Sequence, residues 1–226
     1  MKGYGQFCPI AKASEVLGER WTHLVVRELM VGSDTFNDLR KGIPLMSPSL
    51  LSSRLKSLEK TGIVIRSESN GRVKYRLSEA GHELKPIIMQ LGVWGHRWVR
   101  TNYSKDDLDP SLLMWDIHRT IDTKFFKKND RTVLTFEFTD YPNAMRFWWL
   151  VIKNDDVDVC LKDPGYNVDL TLSTDLKTMT KIWMGDTSMM KAMREKTFIM
   201  QGSTMLKKSI IIWLGSSFFA DVKAAK

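Results

Sequence analysis

The segment from Pro44 to Leu77 constrains the fold more than any other part of the chain. Ser47 can cap a helix, and Pro48 suits its first position, where the N–H that proline lacks would be unpaired anyway. Leu51, Leu55 and Leu58 recur at i, i+4 and i+7 and put one apolar stripe on that helix, while Ser49, Ser53, Lys56 and Lys60 fall on the opposite side. Gly62 ends the helix and Ile63 to Ser67 reads as a strand. Asn70-Gly71 then supplies two residues that tolerate positive φ, as a type I′ hairpin turn requires. Beyond the turn Val73, Tyr75 and Leu77 alternate with Arg72, Lys74 and Arg76, so one face of the returning strand packs and the other is cationic.

Upstream, Asp34 or Thr35 can cap a short helix with Phe36 and Leu39 on one side, and Gly42 to Pro44 forms a turn into the serine-capped helix. Two helices across a turn, followed by a hairpin, are the parts of a winged helix-turn-helix. Small hydroxyl residues let a helix backbone sit deep in the major groove and reach base edges or phosphates. The helix alone also fits an ordinary amphipathic surface element; the charge pattern tips the reading. Between Arg40 and Arg76 nine Lys/Arg face only two acids, Glu59 and Glu68. Residues 1–104 hold 16 Lys/Arg against 9 Asp/Glu, whereas residues 105–226 hold 18 against 17. The positive field therefore lies in the first half and favours a polyanion, with double-stranded DNA fitting better than a membrane. The expected DNA contacts are Ser47, Ser49, Ser52, Ser53, Arg54 and Lys56 on the helix and Arg72 and Lys74 on the hairpin.

Other classes find little support. The longest apolar runs, Phe147 to Ile152 and Ile210 to Leu214, are far short of the ~20 residues that span a bilayer. Two cysteines without a secretory leader point to a reducing, cytoplasmic compartment. The histidines at 23, 82, 96 and 118 lack metal-ligand spacing, and no Walker loop, Gly-x-Ser-x-Gly or convincing dinucleotide fingerprint occurs, so neither an enzyme nor a cofactor is expected. Cys8 is the one residue of conceivable chemistry in the first half, with Lys12 a helical turn onward; a small thiol packed near a dimer interface is the plainer reading.

The run Cys8-Pro9, Glu19-Arg20-Trp21-Thr22, Arg27-Glu28-Leu29, Phe36-Asn37-Asp38-Leu39, Ser47-Pro48, Leu51-Ser52, Arg54-Leu55, Leu58-Glu59 and Leu77-Ser78-Glu79 resembles the HxlR family of bacterial winged-helix transcription regulators over roughly residues 5–100. The resemblance implies a homodimer on pseudo-palindromic operator DNA, with the helix from Ser47 in the major groove and the loop at Gly71 on the flanking minor groove or backbone. It also implies a redox alternative, because some members with a cysteine matching Cys8 sense oxidants or electrophiles. From Ser78 a long helix is expected to run to Tyr103, kinked or broken near Pro86. Leu84, Ile87, Ile88, Leu91 and Trp94 or Trp98 fall on its inner side, with the tryptophans packing across a dimer or domain interface.

The polar stretch Asn102 to Ser111 suggests a boundary between domains at 1–104 and 105–226. The second reads as α+β. A helical stripe runs through Met114, Ile117, Ile121 and Phe125, and strands are expected around Leu134–Phe138, Val157–Leu161, Val168–Leu172 and Thr197–Gln201. Helices follow near Leu176–Met184 and Ser188–Arg194, with a last one carrying Leu206, Ile210, Trp213 and Leu214. Residues 168–220 resemble the sterol-carrier-protein fold through Asp169, Gly185, Ala192 and Gly202, although Thr197 and Ser203 depart from its pattern. That resemblance implies an apolar cavity for a hydrophobic effector, and the methionine cluster places it at Trp183, Met184, Met189 and Met193. The sequence thus suggests a dimeric DNA-binding repressor answering to a hydrophobic small molecule. The alternatives are a carrier of lipid-like ligands that uses the winged helix as an interaction module, and a redox regulator acting through Cys8.

Overall fold

The computed structural model describes residues 3–99, 103–223 and 225. The chain divides into two compact units, residues 1–95 and 96–226. The division falls inside a helix and earlier than the polar stretch at Ser104. Residues 100–102, where the sequence carries the helix toward Tyr103 and begins the linker at Asn102, lie outside the described residues.

Unit 1 runs α1 (Pro9–Leu17), α2 (Thr22–Met30), α3 (Phe36–Gly42), α4 (Pro48–Lys60), β1 (Val64–Ser69), β2 (Arg72–Leu77), α5 (Glu79–Glu83) and α6 (Lys85–Trp98). Thr35 caps α3 by accepting from the Asp38 N–H at 3.2 Å, and Ser47 caps α4 by accepting from the Leu50 N–H at 3.3 Å. Leu51, Leu55 and Leu58 all reach the core with Val25, Val26 and Leu39. β1 and β2 pair antiparallel from Val64 opposite Leu77 to Ser69 opposite Arg72. Asn70 and Gly71 take φ of 52° and 71°, the two positive values that a type I′ turn demands. Ser78 caps α5, and the expected long helix breaks at Leu84, so that Pro86 sits in the first turn of α6, where it costs no hydrogen bond. Of the stripe expected to face inward, Ile88 is buried and Leu84 packs against the core, while Ile87, Leu91, Trp94 and Trp98 are exposed.

The packing of α2 on α3 is fixed by a buried carboxylate. Glu28 is fully buried; it accepts from the Arg27 guanidinium at 2.8 Å and from the Ser33 hydroxyl at 2.9 Å. Arg27 also donates to the Gly42 carbonyl at 2.8 Å. A Cβ at residue 42 would fall 1.9 Å from the Glu28 carboxylate, so the close approach requires glycine.

Unit 2 contains α7 (Pro110–His118), β3 (Arg131–Phe138), α8 (Asn143–Arg146), β4 (Phe147–Lys153), β5 (Asp156–Cys160), β6 (Leu170–Thr174), α9 (Leu176–Trp183), α10 (Met189–Arg194), β7 (Phe198–Gly202), α11 (Thr204–Lys208) and α12 (Ile210–Trp213). The strands form one mixed sheet in the order β5-β4-β3-β6-β7, parallel between β3 and β6 and antiparallel elsewhere. Leu134, Phe136 and Phe138 alternate onto the core face and meet Trp148, Leu150, Leu170 and Leu172 from the flanking strands. β4 is a strand that sequence periodicity does not reveal. Its run Phe147–Ile152 is apolar on both sides, with Trp148, Leu150 and Ile152 buried on one face and half-buried Phe147 and Trp149 beside buried Val151 on the other, which erases the alternation. The expected last helix is two short ones that part at Ser209. Among the described residues no helix is long and apolar enough to cross a membrane.

Candidate nucleic-acid interface

The outer side of α4 carries the expected hydroxyl and cationic groups. Ser47, Ser49, Ser53 and Lys56 are all exposed; Ser52 is half-buried. The Ser47 and Ser49 hydroxyls lie 3.3 Å apart, so the cap and the outer face begin as one polar cluster. On the hairpin, Arg72 and Lys74 project from the outer face of β2, while Tyr75 packs inward and its N–H donates to the Asp34 carbonyl at 2.8 Å. Lys74 Nζ lies 2.6 Å from Asp34 Oδ2, and both groups are exposed, so solvent and salt screen the pair and leave the ammonium available to a phosphate. Arg40 and Arg76 are also exposed and, with Arg72, Lys56 and Lys60, form no ion pair among the described residues.

Arg54 departs from its expected role. Its side chain is only 11 % exposed and is ion-paired with Glu19 in the turn between α1 and α2. Burial pulls the guanidinium pKa below its ordinary value, and Glu19 supplies the compensating charge. Position accounts for this: residue 54 lies at the margin of the leucine stripe, one turn before Leu58, and therefore reaches toward the body of the unit. That turn contains Trp21 at φ 77°, a conformation a bulky residue rarely adopts. Glu19 thus belongs to the site's supporting structure. The pairing crosses 35 positions of sequence, and no local pattern announces it.

The other expected sites fall as follows. Cys8 stands at the N-cap position of α1, half-exposed, and its carbonyl accepts from the Lys12 N–H at 3.1 Å. Trp183 is buried in the core of unit 2, Met184 packs on that core and Met193 is 40 % exposed. A cavity of about 310 Å³ lies between the start of α10 and α12, lined by Ile182, Met189, Ile210 and Leu214 with Thr187, Ser188 and Ser216. Of the four expected lining residues only Met189 borders it. The interior between sheet and helices is filled by Phe136, Met179, Trp183 and Trp213. Among the described residues no cluster of His, Cys, Asp or Glu could hold a metal.

Two family models match successive parts of the chain. Residues 16–103 match the HxlR-like helix-turn-helix family, and residues 122–210 match the SCP-2 sterol transfer family. The HTH-type transcriptional regulator YvaP of Bacillus subtilis is 35% identical over 112 residues, covering 48% of this chain and 95% of its own. YodB, another HTH-type transcriptional regulator of Bacillus subtilis, is 34% identical over 95 residues, 40% of this chain and 85% of its own. The solved reduced form of YodB aligns at 32% identity and a TM-score of 0.36, over 40% of this chain and 92% of that one. The redox regulator HypR in its oxidized form aligns at 32% identity and a TM-score of 0.38, over 39% of this chain and 95% of that one.

Proposed function

The chain belongs to the HxlR-like helix-turn-helix family of transcriptional regulators, and from that premise we propose that it is a dimeric, sequence-specific repressor whose second unit takes a hydrophobic effector. One observation carries the DNA-reading part: α4 and β2 leave Ser49, Ser53, Lys56, Arg72 and Lys74 exposed on their outer faces, beyond a packed leucine stripe. That combination offers groove-sized polar groups on the helix and phosphate-seeking cations on the hairpin. A mobility shift of the full chain on DNA upstream of its own gene tests it. Binding that is no tighter than to unrelated duplex would overturn the assignment.

The dimer is supported by apolar residues left exposed at two helices, Phe7 just before α1, Ile10 on α1, and Ile87, Leu91 and Trp94 on α6. A two-fold pair would set its α4 helices about 34 to 36 Å apart, or near a multiple of a helical turn. Light scattering that finds a monomer at micromolar concentration and on DNA would exclude it.

The effector reading is supported by the cavity beside Met189 and by the SCP-2 match. An effector shifts operator affinity only if it binds one arrangement of the protein better than another. Titrating the full chain with aliphatic and aromatic compounds while following operator binding checks this. A response that needs an oxidant and disappears in Cys8→Ser would favour the redox alternative.

A further inference from the structure

We propose that α4 recognises its operator through the C5-methyl group of thymine, with Leu50 as the residue that senses it. The inference rests on the DNA-binding role above and follows from sorting the outer residues of α4 by what each can discriminate. The Ser47 hydroxyl already caps the helix, accepting from the Leu50 N–H. Ser49 and Ser53 carry hydroxyls that both donate and accept, so they suit several base edges and separate them poorly. Arg54 is the one arginine of α4 and the side chain that would grip guanine in bidentate fashion. It is held by Glu19 instead. Lys56 and Lys60 sit in the carboxyl-terminal half, whereas a recognition helix meets bases first with its amino-terminal residues.

Leu50 lies in that amino-terminal turn and leaves the core. It is 36 % exposed, whereas Leu51, Leu55 and Leu58 are at most 2 % exposed. Leu45, in the turn leading into α4, is 74 % exposed. One exposed leucine is commonplace on a protein surface. Two that flank the capped end of a helix whose other exposed side chains are mostly polar or cationic are a patch with a direction. A leucine makes no hydrogen bond, and the thymine methyl is the apolar group that a major-groove edge presents. Withdrawal of Arg54 and exposure of Leu50 together predict half-sites marked by thymine, not by guanine, beneath the first turns of α4.

The test uses the full-length chain to select binding sites from a random duplex library, after which each thymine of the selected site is replaced singly by deoxyuridine. That change removes the methyl and keeps the Watson–Crick edge. We expect one thymine in each half-site at which replacement weakens binding roughly fourfold, the value of one buried methyl. Leu50→Ala should bind the thymine and deoxyuridine duplexes alike at that position. Tolerance of deoxyuridine everywhere to within about twofold would overturn the proposal while leaving DNA binding intact. So would a Leu50→Ala protein that keeps the full penalty. Failure to select any sequence would instead overturn the DNA-binding role itself. The scan with the unaltered protein stands whether or not the variant folds.

Discussion

The two units bury apolar surface by different means, and only the first leaves a charged face outside its core. In unit 2 the sheet is apolar on the face that Phe136 and Leu150 share, and β4 carries apolar residues on its other side too, half-buried at Phe147 and Trp149. Unit 1 places its leucines on one stripe of α4 and leaves the rest of that helix and the outer face of β2 to solvent, with cations that mostly lack partners. Charge follows the same division, since residues 1–104 carry 16 Lys/Arg against 9 acids and the remainder is nearly balanced. A protein that reads a polyanion needs an external field, whereas one that holds an apolar molecule needs a wall. In this chain the external positive field and the filled apolar interior belong to different units.

The strongest way to break that comparison is to empty the interior of unit 2. Phe136 is fully buried at the centre of the sheet, so Phe136→Ala should cost about 3 to 5 kcal/mol, from lost burial and the cavity left behind. Hydrogen exchange should show the loss in β3, β4 and β6 and leave the β1–β2 amides nearly as protected as before. Equal loss in both units would mean that they are one cooperative body.

The next effect belongs to the exterior of unit 1. Lys56→Ala, Arg72→Ala and Lys74→Ala together should leave the unfolding midpoint almost unchanged, because all three are exposed. DNA affinity should fall on the order of a hundredfold at moderate salt, and the slope of log K against log salt should drop by about three. The same treatment of Lys127, Lys128 and Lys162, exposed in unit 2, should do neither. An unchanged slope in the first variant would remove the DNA face from α4 and β2.

A smaller effect tests how α4 is seated. Ser47→Ala deletes the acceptor for the Leu50 N–H and should cost about 1 kcal/mol by denaturant unfolding. Operator selectivity should suffer more than nonspecific binding, because a frayed first turn misplaces Ser49 and Leu50 without altering any cation.

These contrasts also explain which features could be read before the structure. α4 and the hairpin are half-exposed, and an element with one wet face writes its period into the sequence: Leu51, Leu55 and Leu58 every third or fourth residue, Val73, Tyr75 and Leu77 every second. β4 is apolar on both faces, so Phe147 to Ile152 reads as an unpatterned apolar run. The break at Ser209 carries no proline or glycine to mark it. Arg54 looked like its exposed neighbours because residue type records charge and not partner; Glu19 comes from another turn of the fold. Ile87, Leu91 and Trp94 have the spacing of a core stripe yet are exposed in the single chain, because spacing does not say whether the covering surface lies within the same chain. Methionine content pointed to unit 2 but could not locate a cavity, since Met179 fills the core and Met189 borders the opening with the same side chain.

The smallest effect concerns pH and a carboxylate on the outer side of the sheet in unit 2. Glu137 Oε2 accepts from the Ser173 hydroxyl at 2.6 Å, and Oε1 accepts from Arg146 Nη2 at 2.6 Å. The Ser173 hydrogen bond and then Arg146 hold its pKa below the ordinary carboxylate value, with partial burial opposing them. A carboxylate whose pKa is depressed by folding stabilises the native state above its unfolded pKa, and that contribution is lost as the pH falls through the native value. The wild-type chain should therefore lose stability below about pH 4.5, this group contributing at most about 1.4 kcal/mol per pH unit. Glu137→Gln keeps the shape and an acceptor for Ser173 but gives up the charge. It should be about 1 kcal/mol less stable at pH 7 and have a flatter acid limb. Parallel limbs in the two proteins would show that Glu137 titrates alike folded and unfolded, leaving the hydroxyl and guanidinium as neighbours without energetic consequence.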